Sequence, residues 1–175
     1  PYDAKGLLLA AIEDPDPVIF LEPIRLYRAV KGDVPETAYT VPLGSASVER
    51  SGDDLTLIAY GAMMREARDA ADQLEAEGVA VDLIDVRSLV PFDAETVLES
   101  VRRTGRAVVV QEAPRTGGFG AEIAAQIQER ALYSLLAPVA RVTGWDTIVP
   151  LRRAEKHYTP SVERIVAASR STLEA

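Results

Sequence analysis

The chain has 175 residues, of which 47% are hydrophobic and 26% charged, a globular composition sufficient for one domain or for one domain plus a piece of another. It contains no cysteine, which excludes disulfides, thiolate metal sites and cysteine nucleophiles and suits a reducing compartment such as a bacterial cytoplasm. A net charge of −8 argues against nucleic-acid binding and leaves basic protein partners open, and no apolar run reaches the roughly 18–20 residues of a membrane-spanning helix. The start, Pro1-Tyr-Asp-Ala-Lys-Gly6, has neither an initiator methionine nor a signal pattern, so the chain reads as a fragment or processed product.

In chain order, residues 3–12 carry Leu7, Leu8, Ala11 and Ile12 at helical spacing, and the proline-rich turn Glu13-Asp-Pro-Asp-Pro17 stops that helix. Residues 18–21 form a short apolar run read as a buried strand. Residues 1–22 cannot close a core alone and read as the tail of an upstream domain. Residues 23–43 lack periodicity and are long for a connection within a compact domain, so they read as a linker, with Leu26, Tyr27 and Tyr39 lying against protein.

From residue 44 the pattern becomes regular. Residues 46–50 alternate, Ser51-Gly-Asp-Asp54 turns, and Leu55–Tyr60 reads as a buried strand, which predicts an antiparallel hairpin. Strand-then-helix units follow. The helix over 62–77 places Met63, Ala67, Ala70 and Leu74 on one face. The strand over 79–86 leads to a helix over 94–103, capped by Asp93 and ended by Gly105. The strand over 107–111 leads to a helix over 119–133, and the strand over 139–143 leads through a long loop to a terminal helix with Thr159 as N-cap and Pro160 first. Such alternation predicts an α/β fold for residues 44–175: a mostly parallel sheet with one antiparallel strand and helices on both faces.

Few residues carry chemistry. Glu112-Ala-Pro-Arg-Thr-Gly-Gly-Phe-Gly120 follows a strand and opens a helix, the setting of a phosphate loop. The spacing of Gly117, Gly118 and Gly120 fits neither dinucleotide nor P-loop patterns, and Glu112 and Glu122 add negative charge beside it. A free-standing nucleotide-binding module using this turn, or a scaffold without a ligand, are the rival readings. His157, the only histidine, has no relay partner at a suggestive spacing. Glu13, Asp14 and Asp16 are ordinary turn chemistry that also suits a hard cation, though three neighbours do not fill a coordination shell. Asp82 and Asp85 point to opposite faces of one strand, and Trp145 packs at a strand exit. No residue set makes a catalytic site.

Lys5-Gly-Leu-Leu-Leu-Ala-Ala-Ile-Glu-Asp-Pro-Asp-Pro-Val-Ile-Phe-Leu-Glu-Pro23 with Leu26-Tyr-Arg28 resembles the end of the pyrimidine-binding domain in β subunits of 2-oxo acid dehydrogenases. Leu55–Gly61, Asp85–Asp93, Glu112–Ile123 and Ala137–Thr147 resemble the C-terminal, transketolase-like domain of the same subunits. The strings Glu22–Arg28 and Glu112–Phe119 resemble the branched-chain (2-oxoisovalerate) type more than the pyruvate type. This resemblance implies a thiamine-diphosphate-dependent oxidoreductase that decarboxylates a 2-oxo acid and passes the acyl group to lipoyl-lysine. It implies an α2β2 heterotetramer whose cofactor, with Mg, is held by the α subunit and the β subunit's N-terminal domain. Residues 1–175 then carry no catalytic or cofactor-binding residue and are inactive alone, serving assembly and docking. The implied partners are the α subunit, a second β subunit and the peripheral subunit-binding domain of the dihydrolipoyl acyltransferase. The resemblance further implies half of a potassium site at Ala11, Asp14 and Asp16, and docking positions at Asp146 and Ala175.

Overall fold

The opening periodicity becomes helix α1, Tyr2–Glu13, in the computed structural model, which describes residues 1–151 and 153–175. Asp14 ends it in an extended conformation (ψ 134°), as the following proline demands. Residues 18–21 form no strand, and Ile19 is 87% exposed. An apolar run becomes a strand only where another backbone accepts and donates its hydrogen bonds, and among the described residues this run has no ladder partner. Residues 39–41 lie against α1: Tyr39 stacks on Tyr2 with ring centroids 4.4 Å apart, and the Val41 N–H donates to the Gly6 carbonyl at 3.1 Å, whereas Tyr27, expected against protein, is exposed. Gly6 is buried there because any Cβ would collide with Val41.

The remaining elements are β1 (Ser47–Arg50), β2 (Leu55–Ala59), α2 (Met63–Ala76), β3 (Val81–Asp85), α3 (Ala94–Thr104), β4 (Ala107–Pro114), α4 (Gly120–Ala131), β5 (Ala140–Gly144), α5 (Glu155–Tyr158) and α6 (Val162–Glu174). The sheet order is β1-β3-β2-β4-β5. β2, β3, β4 and β5 are parallel, and β1 is antiparallel. The α/β expectation therefore holds, with one antiparallel edge strand. The hairpin does not, because β1 pairs with β3 (Ser47 opposite Asp85) and not with β2. The turn that suggested a hairpin instead clamps the entry to β3: Asp54 N–H donates to the Ala80 carbonyl at 2.9 Å, and Ala80 N–H to Asp54 Oδ2 at 2.7 Å. Gly52 admits Ala80 where any Cβ would strike its backbone. β3 is thereby inserted between β1 and β2.

The strands bury side chains on both faces. Leu55, Leu57, Ala59, Val81, Leu83, Val108 and Val110 pack beneath α2 and α6, with Met63, Leu74 and Ile165. Ile58, Ile84, Val109 and Ala107 pack beneath α3 and α4, with Leu98, Ile123 and Ile127. Each large side chain so buried contributes about 1.5–3 kcal/mol. Asp93 caps α3, accepting from Thr96 N–H at 3.2 Å, and Gly105 ends it in the left-handed region (φ 68°). The terminal helix is capped by Ser161 and not by Thr159. Residues 155–158 coil into the short α5, and Thr159 spends its hydroxyl on the Glu155 carbonyl at 2.8 Å.

One polar network crosses the core on the α3 side. Thr56 Oγ1 lies 2.6 Å from Ser100 Oγ and 2.7 Å from Thr104 Oγ1, and Ser100 donates to buried Asp82. The Arg106 carbonyl accepts both from Thr56 N–H at 2.9 Å and from the Thr104 hydroxyl at 3.0 Å. With its own proton on Asp82, Ser100 accepts from Thr56, so the Thr56–Ser100–Asp82 chain ends on the carboxylate that Arg103 also binds. An ionised carboxylate favours this direction of donation.

Candidate functional site

β2 and β4 are neighbours, yet β2 leads to α2 on one face and β4 to α4 on the other. Their C-terminal ends diverge and open the crevice where open α/β sheets receive ligands. Tyr60, Gly61, Ala62 and Glu66 approach it from the β2 side, and Gln111 and Glu112 from the β4 side.

Gln111 is fully buried. Its Nε2 donates to the Pro114 carbonyl at 2.7 Å and the Ala113 carbonyl at 3.3 Å. Its Oε1 accepts from Gly120 N–H at 2.5 Å and from the Tyr60 hydroxyl at 3.3 Å. Any Cβ on Gly118 would overlap the Gln111 amide. The glycine turn is thus filled from within, and an amide at the start of α4 is already taken. Together with the carboxylate of Glu112, this does not fit a phosphate or diphosphate group. Burial pushes the Tyr60 phenol up to about 12, so it stays a neutral donor.

A second cluster lies at the sheet edge, where Asp3 of α1, Glu49 of β1 and Asp85 of β3 bring carboxylate oxygens within 4.8 Å of one another. Burial raises Asp85 from its ordinary value near 3.8 to about 6. The Arg87 N–H, 3.1 Å from Asp85 Oδ1, opposes that shift, Glu49 adds to it, and the charges of Arg68 and Arg87 oppose it. Arg87 adopts φ 58° and donates to Asp3 at 3.2 Å; Arg68 donates to Glu49 at 2.9 Å. Asp82 faces the other side of the sheet, under α3, as strand alternation requires.

The residues named from sequence are dispersed. Asp14 Oδ1 accepts from Asp16 N–H at 2.9 Å, a side-chain-closed turn at the end of α1, and Ala11 lies in the last turn before it. Asp146 leaves β5 exposed and accepts from Thr116 N–H and Thr116 hydroxyl, each at 2.8 Å. Those two bonds lower its carboxyl below the usual range. It thus ties the glycine turn to β5. Ala175 follows α6. His157 sits in α5, its carbonyl accepting from Trp145 Nε1 at 2.9 Å, while Arg164 stacks on the Trp145 ring at 4.5 Å. Sequence reasoning missed Gln111 as the filler of its own loop and the convergence of Asp3 on Asp85. The first had a signal, a polar residue ending the apolar run Val108–Val110; the second joins residues far apart in the chain and had none. Among the described residues, no helix is long and apolar enough to cross a membrane.

This architecture has relatives. The subunit named "Pyruvate dehydrogenase E1 component subunit beta" from Staphylococcus epidermidis (strain ATCC 35984) is 49% identical over 174 residues, covering 99% of this chain and 54% of the relative. The subunit of the same name from Bacillus subtilis (strain 168) is 48% identical over the same shares. The chain thus spans about half the length of these curated relatives. A solved structure described as "Split gene transketolase, inactive beta4 tetramer" superposes with a TM-score of 0.68 at 33% identity, covering 77% of this chain and 43% of that one. Residues 44–165 match the family model described as "Transketolase, C-terminal domain", and with the matching sheet on the same residues the chain belongs to the transketolase C-terminal domain family.

Proposed function

We propose that the chain is the C-terminal part of a β subunit of a thiamine-diphosphate-dependent 2-oxo acid dehydrogenase, an oxidoreductase that decarboxylates a 2-oxo acid and delivers the acyl group to lipoyl-lysine. The observation that carries this reading is the near-half identity to pyruvate dehydrogenase β subunits along 174 residues, through the first 43 residues as well as the sheet domain. In this reading residues 1–22 end the pyrimidine-binding domain, 23–43 link, and 44–175 form the assembly domain. The glycine turn filled by Gln111 offers no cradle for thiamine diphosphate, and the resemblance to the family assigns the cofactor and its Mg to the α subunit and the upstream domain. The relatives' name favours pyruvate; the strings Glu22–Arg28 and Glu112–Phe119 keep branched-chain 2-oxo acids as the second substrate class.

Residues 1–175 serve pairing with the α subunit and a second β subunit in an α2β2 assembly of the cytoplasm, and docking to the subunit-binding domain of the acyltransferase. The net charge of −8 suits a basic docking partner, with Asp146 and the carboxylate of Ala175 as docking positions. At the end of α1, last-turn carbonyls such as that of Ala11 lack intrahelical partners. With Asp14 and Asp16 they offer oxygens to a potassium ion, completed by residues upstream. The test is reconstitution of the full-length subunit with its α subunit, following 2-oxo-acid-dependent acylation of a lipoyl domain. The expected result is turnover with pyruvate exceeding 2-oxoisovalerate, and none by residues 1–175 alone. Turnover with 2-oxoisovalerate in excess would move the substrate to the branched-chain class, and turnover with neither would overturn the reading.

A further inference from the structure

The crevice between β2 and β4 already holds a ligand-like group, and it comes from the linker. Pro23 lies 3.8 Å from the position of a Cβ on Gly61. Arg25 Nη2 donates to the Ala62 carbonyl at 3.1 Å and to Glu66 Oε2 at 2.8 Å, and its Nε lies 4.0 Å from Glu112 Oε2. One guanidinium therefore spans a carboxylate of α2, the helix that follows β2, and one of β4. A cation suits a crevice whose anion-binding amide is taken by Gln111 and whose rim carries two glutamates.

Residues 22–28 are otherwise loosely seated. They close on themselves through Leu26 N–H to the Pro23 carbonyl at 2.9 Å and the Tyr27 hydroxyl to Glu22. Two of their apolar side chains face outward, Ile24 at 79% and Tyr27 at 62% exposed, while Pro23 and Leu26 are half-buried. A segment whose burial is slight and whose anchor is an ion pair opens at low cost, since half-exposed ion pairs hold weakly. We propose that residues 22–28 form a reversible strap, that Arg25 is its latch, and that Glu66 and Glu112 form a guanidinium-binding site occupied in cis.

The test is hydrogen-exchange mass spectrometry on the protein in its native assembly. R25A should speed exchange of residues 22–28 roughly threefold to tenfold while leaving β2 and β4 unchanged, and the double variant E66Q/E112Q should do the same. R25K, which keeps the charge but loses the planar fork, should fall between. Argininamide should speed strap exchange in the parent and have no effect in R25A. R28A, which removes an exposed cation of the same segment, should leave the strap protected. Unchanged exchange in R25A, an equal rise in R28A, or a rise spread through β2 and β4 would each overturn the latch.

Discussion

The sheet within residues 44–175 buries its apolar side chains on both faces, whereas residues 1–43 form no strand, leave many apolar side chains facing solvent and are held largely by polar contacts. Leu57 sits between two layers of helix, while Ile19, in an equally apolar run, touches solvent over most of its surface. Hydrophobicity sets what a segment can bury; only a neighbouring backbone or helix determines whether it does. The first region is seated by a few groups such as Asp3, Lys5, Gly6 and Arg25, through polar contacts and one close backbone approach.

The widest separation between the regions should come from truncation. Leu57→Ala should cost about 2–5 kcal/mol in urea unfolding, whereas Ile19→Ala should stay within about 0.5 kcal/mol. A large loss at Ile19 would mean the first region shares the core's cooperativity. Next is pH, read at the junction. The folded Asp85 carboxyl holds its proton up to about pH 6, while the unfolded one releases it near about 3.9. The folded state is the better proton binder in that window, so the stabilisation is complete below about pH 3.9 and is lost as pH rises through 6. The expected loss is about 2 kcal/mol between those values, seen as a falling urea midpoint that D85N flattens. The smallest effect separates two close-packed glycines. G118A, which drives a Cβ into the Gln111 amide inside the domain, should cost about 1–3 kcal/mol globally. G6A should instead raise exchange in α1 and residues 39–41 while leaving the midpoint of the sheet domain unmoved.

Much of the sheet domain could be read before the structure because its signals are local. Helix spacing, the Asp93 cap, the Gly105 stop and the alternation of strands and helices all lie within a few residues of what they specify. The hairpin reading failed because Asp54 acts on Ala80, 26 residues away in sequence, and Ser161 displaced Thr159 as cap because a one-turn helix claimed the threonine hydroxyl. The candidate site was less legible for the same reason. Gln111 could be seen as an odd polar residue at a strand end, but its four partners come from three separate segments. Arg25 stood in an unpatterned linker, and nothing near it in sequence announces Glu66 or Glu112.

The insertion of β3 between β1 and β2 also has a consequence for the order in which a ribosome delivers the fold. β1 ends at Arg50, and its strand partner among the described residues begins at Val81. At about 5–20 residues per second this leaves the edge strand unpaired for roughly 1.5–6 s during synthesis. For that interval β1 cannot reach its native register, and the edge of β2 that β3 will occupy has no native partner.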